Sequence, residues 1–454
     1  MAVAEHESVA PIEGFAGHLL TPEHGAYDEV RRVHNGLIDK RPALIARCTG
    51  TADVVAAVNA ARVHGWEISV RGGGHNVAGT AVTDGGLMID LSTMKGIHVD
   101  PAAKTARAQA GVLWKELNRE TQLHGLAVTG GAISTTGIAG LTLGGGLGWL
   151  MTKLGLAADN LLSLELVTAD GRVLTVSADE NPELFWGLRG GGGNFGIATS
   201  LEYRLHPIGP MITGGLIAHP LEAGPDLLRF MRDFAKGLPD DLMFVAGFVH
   251  APDGSGAPLS AVGVCHAGTL EQAEADLKPL LEWGSPLMSM IGPMPYEAVC
   301  QMLDDAYPRG GLNYWKSVFL SELSDGAIDT MAAQFANCPS PMTAMIVEHF
   351  HGEVCRVPAD ATAVPHREEG YNLVITGIWM DPETTEANVA WTRETYDALA
   401  PYAAARRWLN YLPAGEDDEK GLRAVFGPNY ERLVALKREY DPDNVFRLNA
   451  NIKP

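Results

Sequence analysis

The chain has 454 residues, a formal net charge of −21 and 46% hydrophobic residues. This length and apolar content allow large buried cores and predict two or three domains. Nucleic acid and anionic membranes bind basic surfaces, so the acidic balance argues against both as partners. The same charge is compatible with neutral or cationic small ligands.

Five cysteines are scattered without metal-like spacing, and their odd number leaves at least one outside any internal disulfide. They are Cys48, Cys265, Cys300, Cys338 and Cys355. The N-terminal segment carries Glu5, His6, Glu7 and Glu13 and lacks the apolar core of a signal peptide. No later stretch offers the roughly 18 uninterrupted apolar residues of a membrane span. We therefore predict a cytoplasmic protein.

The first part of the chain alternates helices with short strands. Thr51 is placed to cap an Ala-rich helix over residues 52–61 that ends before Gly65. Asp170-Gly171, between apolar runs, predicts a β-hairpin over residues 162–176. Further strands are predicted at residues 67–70, 86–91 and 96–99, and a helix at 114–124. Two small α+β units therefore precede residue 208.

Residues 71–79, RGGGHNVAG, join a strand to a loop of nearly bare backbone. Glycines 72–74 can adopt positive φ and turn backbone N–H groups toward an anion. The loop is not a Walker motif, because no Gly-Lys-Ser/Thr follows, and it is not the dinucleotide fingerprint, because no helix follows. His75 directly after the glycines is either a ligand, base or attachment point, or a residue that caps the turn.

A change of pattern at residues 206–210 begins a second region. Alternating apolar residues predict strands at 243–250, 259–266, 343–352 and 371–380, interleaved with helices at 225–236, 269–281, 327–336 and 384–400. This order indicates an antiparallel β-sheet backed by helices.

Five motifs in a fixed order resemble one family. They are RGGGHN (71–76), LGGGLG (143–148), LGLAADN (154–160), RGGGGNFG (189–196) and YDPDNVFRLNANI (440–452). Together they resemble the vanillyl-alcohol-oxidase type of FAD-binding fold, in the branch of the berberine bridge enzymes and 6-hydroxy-D-nicotine oxidase. The resemblance spans nearly the whole chain.

This resemblance implies an α+β protein in three segments. Residues 1–208 would form a PCMH-type FAD-binding domain of two α+β subdomains. Residues 209–405 would form a substrate domain, an antiparallel β-sheet backed by helices. Residues 406–454 would return to the FAD-binding domain.

The resemblance also implies a covalent cofactor, with the 8α-methyl of FAD bonded to His75. Berberine bridge enzymes carry a second link through a cysteine, but that position here is Ile133, and no cysteine lies between Cys48 and Cys265. A single link is therefore expected. The residues implied to contact FAD are Arg71, Gly72, Gly73, Gly74, His75, Asn76, Gly79, Thr129, Gly130, Gly137, Gly140, Gly144, Gly145, Gly148, Gly196, Ile197, Asn449 and Asn451.

Residues 408–411, WLNY, resemble the aromatic-x-Asn-Tyr motif that the family places at the flavin face. The resemblance implies that Tyr411 assists deprotonation of the substrate and that Asn410 holds the flavin ring. Trp408 stands where a tyrosine is common. Because a free phenol has a pKa of about 10, Tyr411 can act as a base only if cations or the oxidised flavin lower that value.

Glu348 is the third candidate catalytic residue. Strand alternation puts Glu348 and Phe350 on one face and His349 and His351 on the other. The resemblance places such strands over the flavin, but which face lines the pocket stays open, as does a pairing of Glu348 with Lys316 or solvent. Two histidines are too few ligands for a metal, so no metal site is predicted.

We therefore predict an FAD-dependent oxidoreductase, an oxidase that transfers hydride from a C–H bond of an alcohol, amine or phenolic small molecule to flavin N5. Its partners are this electron donor and O2, which would yield H2O2. Two alternatives remain: a natural-product tailoring cyclase or dehydrogenase on the same fold, and a non-catalytic flavin-binding protein. Substrate identity, electron acceptor and oligomeric state, including a homo-oligomer, stay open.

Overall fold

The computed structural model describes residues 12–251 and 253–454. The first eleven residues of the predicted FAD-binding domain, including Glu5, His6 and Glu7, lie outside the described residues, as does Pro252. Three main β-sheets carry the described fold, and two of them are formed before residue 208. No helix in the described part of the chain is both long and apolar enough to cross a membrane.

The first sheet has four strands, and its inner strands are parallel. In order across the sheet they are His18–Leu20, Leu44–Arg47, Leu87–Asp90 and Ile68–Arg71. The predicted helix is confirmed at Thr51–His64 and ends at Gly65, whose φ of +67° suits a left-handed cap. The capping prediction for Thr51 is wrong, because Gly50 holds the cap position and the Thr51 hydroxyl donates to Glu165 instead, at 2.5 Å.

The second sheet has five antiparallel strands. Their order is Ile97–Asp100, Thr105–Gln109, Ile197–Arg204, Leu161–Val167 and Val173–Ser177. The predicted hairpin is confirmed, since the last two strands pair in register from Ser163 with Ser177 to Val167 with Val173. Gly171 in its turn has a φ of +82°, which a residue with a side chain rarely adopts.

Short helices connect these strands and carry the glycine-rich motifs. They are Tyr27–Val30, Trp114–Gln122, Ile138–Leu143, Met151–Leu154 and Pro182–Leu188, with a 3-10 turn at Ala158–Asn160. A two-residue strand, Leu126–Ala127, pairs with His206–Pro207.

The third sheet has eight antiparallel strands and confirms the predicted antiparallel β-sheet. Seven strands run in the order Met288–Ser289, Met211–Pro220, Pro258–His266, Leu242–His250, Ala344–Phe350, Gly370–Trp379 and Leu312–Leu320. The eighth strand, Gly292–Pro295, pairs with Met211–Pro220. The strand Met211–Pro220 was not predicted, because Gly214 and Gly215 interrupt its apolar pattern.

Helices cover one face of this third sheet. They are Gly224–Phe234, Leu270–Leu281, Asp325–Phe335 and Thr385–Leu399. Leu227, Met331 and Trp391 from these helices pack with sheet residues such as Val347 and Leu373 in one apolar core. Two shorter helices, Tyr296–Gln301 and Glu353–Arg356, lie on the other face, where Val299 and Val354 share an apolar core with Phe350.

The opposite face of the third sheet packs against the glycine-rich motifs. Phe350 and Phe319 of the sheet share an apolar core with Leu147, Trp149 and Trp408. The rings of Phe350 and Trp408 meet edge to face at 5.6 Å between centroids. The side chains of the strand Ala344–Phe350 that lie on this face therefore point toward residues 408–411.

The C-terminal helices, Glu419–Phe426 and Tyr430–Tyr440, pack against the first part of the chain. A fully buried ion pair, Lys437 with Asp441 at 2.7 Å, fixes the end of this segment. Lys437 also donates to the carbonyls of Asn194 and Phe446, each at 2.9 Å. The three donors of this ammonium are therefore satisfied, which a buried charge requires.

Candidate active site

A cavity of about 420 Å³ lies where the three glycine-rich motifs meet the C-terminal segment. Asn410 lines it, together with eleven of the residues that the family resemblance implies to contact FAD. These eleven are Gly72, Gly73, Gly74, His75, Asn76, Gly137, Gly140, Gly144, Gly196, Ile197 and Asn449. Apolar side chains such as Ile68, Val70 and Leu91 complete the walls. The cavity is therefore mostly backbone and small apolar groups.

Backbone contact between the first glycine-rich motif and Gly137, just before the helix Ile138–Leu143, shapes this cavity. A Cβ built on Gly73 would lie 2.4 Å from the backbone nitrogen of Gly137, and a Cβ on Gly137 would lie 2.4 Å from that of Gly73. Gly74 adopts a φ of +68°. Only glycine fits these positions without moving the backbone, so residues 72–77 can lie against the start of the helix Ile138–Leu143. We call residues 72–77 the histidine loop.

His75 is held in the histidine loop by stacking. Its ring lies 3.8 Å from that of His34, with 19° between the planes. Burial and the neighbouring His34 lower the pKa of His75 to about 3, so its imidazole is neutral at physiological pH. Its Nε2 atom is buried and has no hydrogen-bond partner in the described part of the chain. A neutral ring with an unsatisfied nitrogen beside a backbone-lined cavity fits a bound FAD.

Arg71 does not line the cavity. Its guanidinium is buried and contacts the fully buried Asp90, with Nε to Oδ1 at 2.9 Å and Nη2 to Oδ2 at 2.6 Å. It also donates to the carbonyl oxygen of Val30. Arg71 therefore anchors the start of the histidine loop to the first sheet.

Six further residues implied to contact FAD lie behind the cavity rather than in its lining: Gly79, Thr129, Gly130, Gly145, Gly148 and Asn451. A Cβ on Gly130 would lie 2.4 Å from the Trp114 ring, and one on Gly148 would overlap the carbonyl of Gly130. The Thr129 hydroxyl donates to the carbonyl of Gly155 at 2.8 Å. Gly130, Gly148 and Thr129 therefore support the walls through close contacts.

In the third glycine-rich motif, more residues line the cavity than the sequence analysis named. Gly192, Gly193 and Asn194 line the cavity together with Gly196 and Ile197. Asn194 donates to the carbonyl of Ala450 at 3.1 Å and accepts from Ile452 at 3.1 Å. The repeated glycines of the motif were a sufficient signal for these positions.

Asn410 joins the C-terminal segment to the second glycine-rich motif. Its Oδ1 accepts from the backbone N–H of Gly146 at 3.2 Å and from the Trp408 indole at 3.0 Å. Its Nδ2 donates to the carbonyl of Leu141 at 3.2 Å. A Cβ on Gly144 would lie 2.4 Å from this nitrogen. The amide therefore closes one end of the cavity.

Tyr411 and Glu348 meet next to Asn410, outside the cavity lining. The Tyr411 hydroxyl donates to Oε1 of Glu348 at 2.9 Å, and Asn372 Nδ2 donates to Oε2 at 2.7 Å. The open question about Glu348 is thereby settled: its face of the sheet is turned toward residues 408–411. Lys316 pairs with Glu416 instead.

The ionisation of this pair differs from the sequence-based expectation. Burial raises the pKa of Glu348 to about 6, although the hydrogen bonds from Asn372 and Tyr411 act in the opposite direction. Burial and the adjacent Glu348 raise the pKa of Tyr411 well above its ordinary value. The charged group beside the phenol is a carboxylate rather than a cation. Within the protein, Glu348 is therefore the better proton acceptor.

Aromatic residues that the sequence analysis did not single out for the site surround this pair. The ring centroid of Trp315 lies 5.5 Å from that of Tyr307, with the rings edge to face, and 6.4 Å from that of Tyr411. We call Tyr307 and Trp315 the aromatic wall. Ile133, which stands where berberine bridge enzymes carry their second linking cysteine, packs against it. No local motif marks Tyr307, because it reaches the site only through the tertiary fold.

The opposite face of the strand carries His349 and His351, as alternation predicted. Their rings stack at 4.6 Å on the helix-covered side of the sheet, away from Glu348. The described residues contain no group of three or more histidine, cysteine, aspartate or glutamate side chains able to hold a metal ion.

Comparison with known proteins agrees with this geometry. Residues 42–177 match the model for an FAD binding domain, and residues 411–453 match that for berberine and berberine-like proteins. The chain is 34% identical over 451 residues to (R)-6-hydroxynicotine oxidase of Paenarthrobacter nicotinovorans, covering 96% of this chain and 97% of that protein. The chain belongs to the FAD-linked oxidoreductases.

Two further comparisons support this family membership. An FAD-linked oxidoreductase of Dictyostelium discoideum is 31% identical over 417 residues, which cover 91% of this chain and 89% of that protein. The crystal structure of 6-hydroxy-D-nicotine oxidase from Arthrobacter nicotinovorans superposes with a TM-score of 0.89 at 32% identity, covering 99% and 100% of the two chains. A chitooligosaccharide oxidase shares the fold at 23% identity and a TM-score of 0.84. The protein is thus an FAD-dependent oxidoreductase of the predicted α+β fold.

Proposed function

We propose that this oxidoreductase is an oxidase of small amines or hydroxylated compounds that uses O2 as electron acceptor and releases H2O2. The Tyr411–Glu348 pair beside the cavity carries the proposal, because it provides a proton acceptor next to the flavin site. The similarity to (R)-6-hydroxynicotine oxidase over 96% of the chain supports the choice of an oxidase.

Each residue of the proposed site has a separate task. FAD, when bound, supplies the two-electron acceptor and the route to O2. Glu348 accepts the proton from the amine or hydroxyl of the donor. Tyr411 and Asn372 hold the carboxylate in place, and Asn410 holds the end of the cavity. Tyr307 and Trp315 exclude water and contact the apolar part of the donor.

The direct test is anaerobic mixing of the purified protein with candidate donors. Loss of flavin absorbance on adding an amine or alcohol, followed by its recovery and formation of H2O2 on admitting air, is the expected result. Bleaching without recovery in air would indicate a dehydrogenase. A flavin that no donor bleaches would indicate a flavin-binding protein without catalysis.

We predict that FAD is attached through His75 alone. The imidazole is neutral and its Nε2 lacks a partner, and no cysteine occurs in the lining of the cavity. After acid denaturation, the polypeptide should keep a fluorescent flavin, and peptide mapping should place it on His75. The His75→Ala variant should release all its flavin. A flavin that washes off the wild-type protein, or that maps to a cysteine, contradicts the prediction.

A pH dependence follows from Glu348. Its pKa is raised to about 6 by burial, and only the carboxylate accepts a proton, so flavin reduction should rise through pH 6 and level off above it. Stopped-flow measurement of the anaerobic flavin-reduction rate across pH 5–8 would show this rise, which we call the pH limb. In Glu348→Gln the limb should vanish and the plateau rate fall by about 10²–10⁴-fold. A limb that persists in Glu348→Gln would exclude this carboxylate as its source.

Tyr411→Phe separates two roles for the phenol. The hydroxyl stabilises the Glu348 carboxylate by a hydrogen bond, so its loss should move the pH limb upward by about one unit. FAD content should not change. The control is Tyr371→Phe, on the helix-covered side of the sheet, which should keep the wild-type limb. An unmoved limb with a rate loss of about 10²–10⁴-fold would instead give the phenol a part in the reaction that is separate from its hydrogen bond to Glu348.

Donor charge provides a further prediction. A buried carboxylate favours a ligand that donates to it and disfavours a second anion. Matched amine, alcohol and carboxylic-acid donors should therefore rank with the acid last. Glu348→Gln should weaken binding of the amine most, as measured by KM. Equal effects on all three donors would show that Glu348 does not contact them.

A further inference from the structure

A short N-terminal segment, His34–Gly36, lies between the histidine loop and residues 310–313 at the start of a strand of the third sheet, and it forms hydrogen bonds with both. On one side, the backbone N–H of His34 donates to the carbonyl of Gly74 at 2.9 Å. On the other, Gly310 donates to the carbonyl of His34 at 2.9 Å, and Gly36 donates to that of Gly311 at 2.8 Å. We call this segment the clasp.

Asn35, in the middle of the clasp, bridges the two sides through its side chain. Its Nδ2 donates to the carbonyl of Val77 at 2.8 Å and to that of Asn313 at 2.9 Å. Its Oδ1 accepts from the backbone N–H of Asn313 at 2.9 Å and of Leu37 at 3.0 Å. The residue is only 2% exposed. A buried amide with both donor hydrogens and both acceptor positions in use fixes the distance between the groups it joins.

The contacts continue from Asn35 to the aromatic wall. Asn313 Oδ1 accepts from the Trp315 indole at 3.1 Å, and Trp315 stands beside Tyr307 and Tyr411. At the other end, Val77 follows His75 by two residues in the histidine loop. One amide thus connects the loop proposed to carry the flavin with the wall proposed to contact the donor.

We infer that Asn35 is a positioning residue that holds the aromatic wall in register with the histidine loop. This rests on the proposed function, since it assumes that FAD binds at His75 and the donor at Trp315. Asn35 has no place in the proton transfer itself. Its contribution is to the distance between the two binding surfaces.

The clasp also explains Gly36. A Cβ there would lie 2.2 Å from the carbonyl oxygen of Gly310 and 3.1 Å from Leu312, although the backbone conformation would accept a side chain. Gly36→Ala should therefore push away residues 310–312 while leaving the Asn35 bond to Val77. A substitution of Gly36 therefore disturbs only the contact with the third sheet, whereas a substitution of Asn35 disturbs the contacts with both the third sheet and the histidine loop.

The test compares Asn35→Asp and Gly36→Ala with matched controls. Aspartate is isosteric but lacks the two donor hydrogens, so it faces the carbonyls of Val77 and Asn313 with a negative charge. Asn388→Asp makes the same change at a 1% exposed asparagine in the helix Thr385–Leu399, on the helix-covered side of the third sheet. Gly25→Ala places a methyl where no atom lies within 4 Å. Flavin content per chain, melting temperature, kcat and KM are measured for each.

For Asn35→Asp we expect a lower flavin content and a KM raised by about tenfold, with a smaller change in kcat. Gly36→Ala should raise KM while keeping the wild-type flavin content. Both controls should match the wild type in these quantities, whatever their melting temperatures.

If Asn35→Asp lowers only the melting temperature, as a buried Asn388→Asp can, the clasp has a structural role alone and the inference is wrong. Flavin content requires no donor, so it still tests the inference if no amine or alcohol is turned over. In that case a wild-type flavin content in Asn35→Asp overturns the inference, while the missing turnover counts against the proposed function.

Discussion

The backbone contact between Gly73 and Gly137 is the constraint on which the site depends. A side chain at either position would meet the other backbone at 2.4 Å, so two strand-connecting loops lie against each other only because both are glycine. Their contact leaves a cavity walled mainly by backbone, which suits a large, flat and anionic cofactor. It also sets the position of His75, and through the carbonyls of Gly74 and Val77 it sets the position of the N-terminal segment.

The second organising feature is a carboxylate held in an apolar region. Glu348 is bonded to Tyr411 and Asn372, yet burial still raises its pKa to about 6. A protein with a net charge of −21 has many carboxylates, but most of those in ion pairs are solvent-exposed. Glu348 differs from them because it is buried and its hydrogen-bond partners, Tyr411 and Asn372, are uncharged side chains. That environment also raises the pKa of the neighbouring Tyr411 phenol well above its ordinary value.

The site was only partly predictable because a motif identifies a segment better than it identifies the side chains that face a cavity. RGGGHN contains both Arg71, which pairs with Asp90 behind the wall, and His75, which lines the cavity. In RGGGGNFG, Gly192, Gly193 and Asn194 line the cavity beside the predicted Gly196 and Ile197. Tyr307 and Asn35 belong to no motif. Asn35 reaches the site through hydrogen bonds to Asn313, 278 residues further along the chain, and Tyr307 reaches it by packing against Trp315.

Sequence reasoning was sufficient for the fold class and the cofactor, through the resemblance that the ordered motifs carry, for most strands and helices, and for the alternation of Glu348 with His349. These follow from local periodicity, from glycines required by close backbone approach, and from the order of motifs. The face of the third sheet that meets residues 408–411, and with it the partner of Glu348, could be read only from the folded chain. Strand alternation separates two faces without naming the inner one, and a pKa depends on burial and neighbours that are distant in the chain.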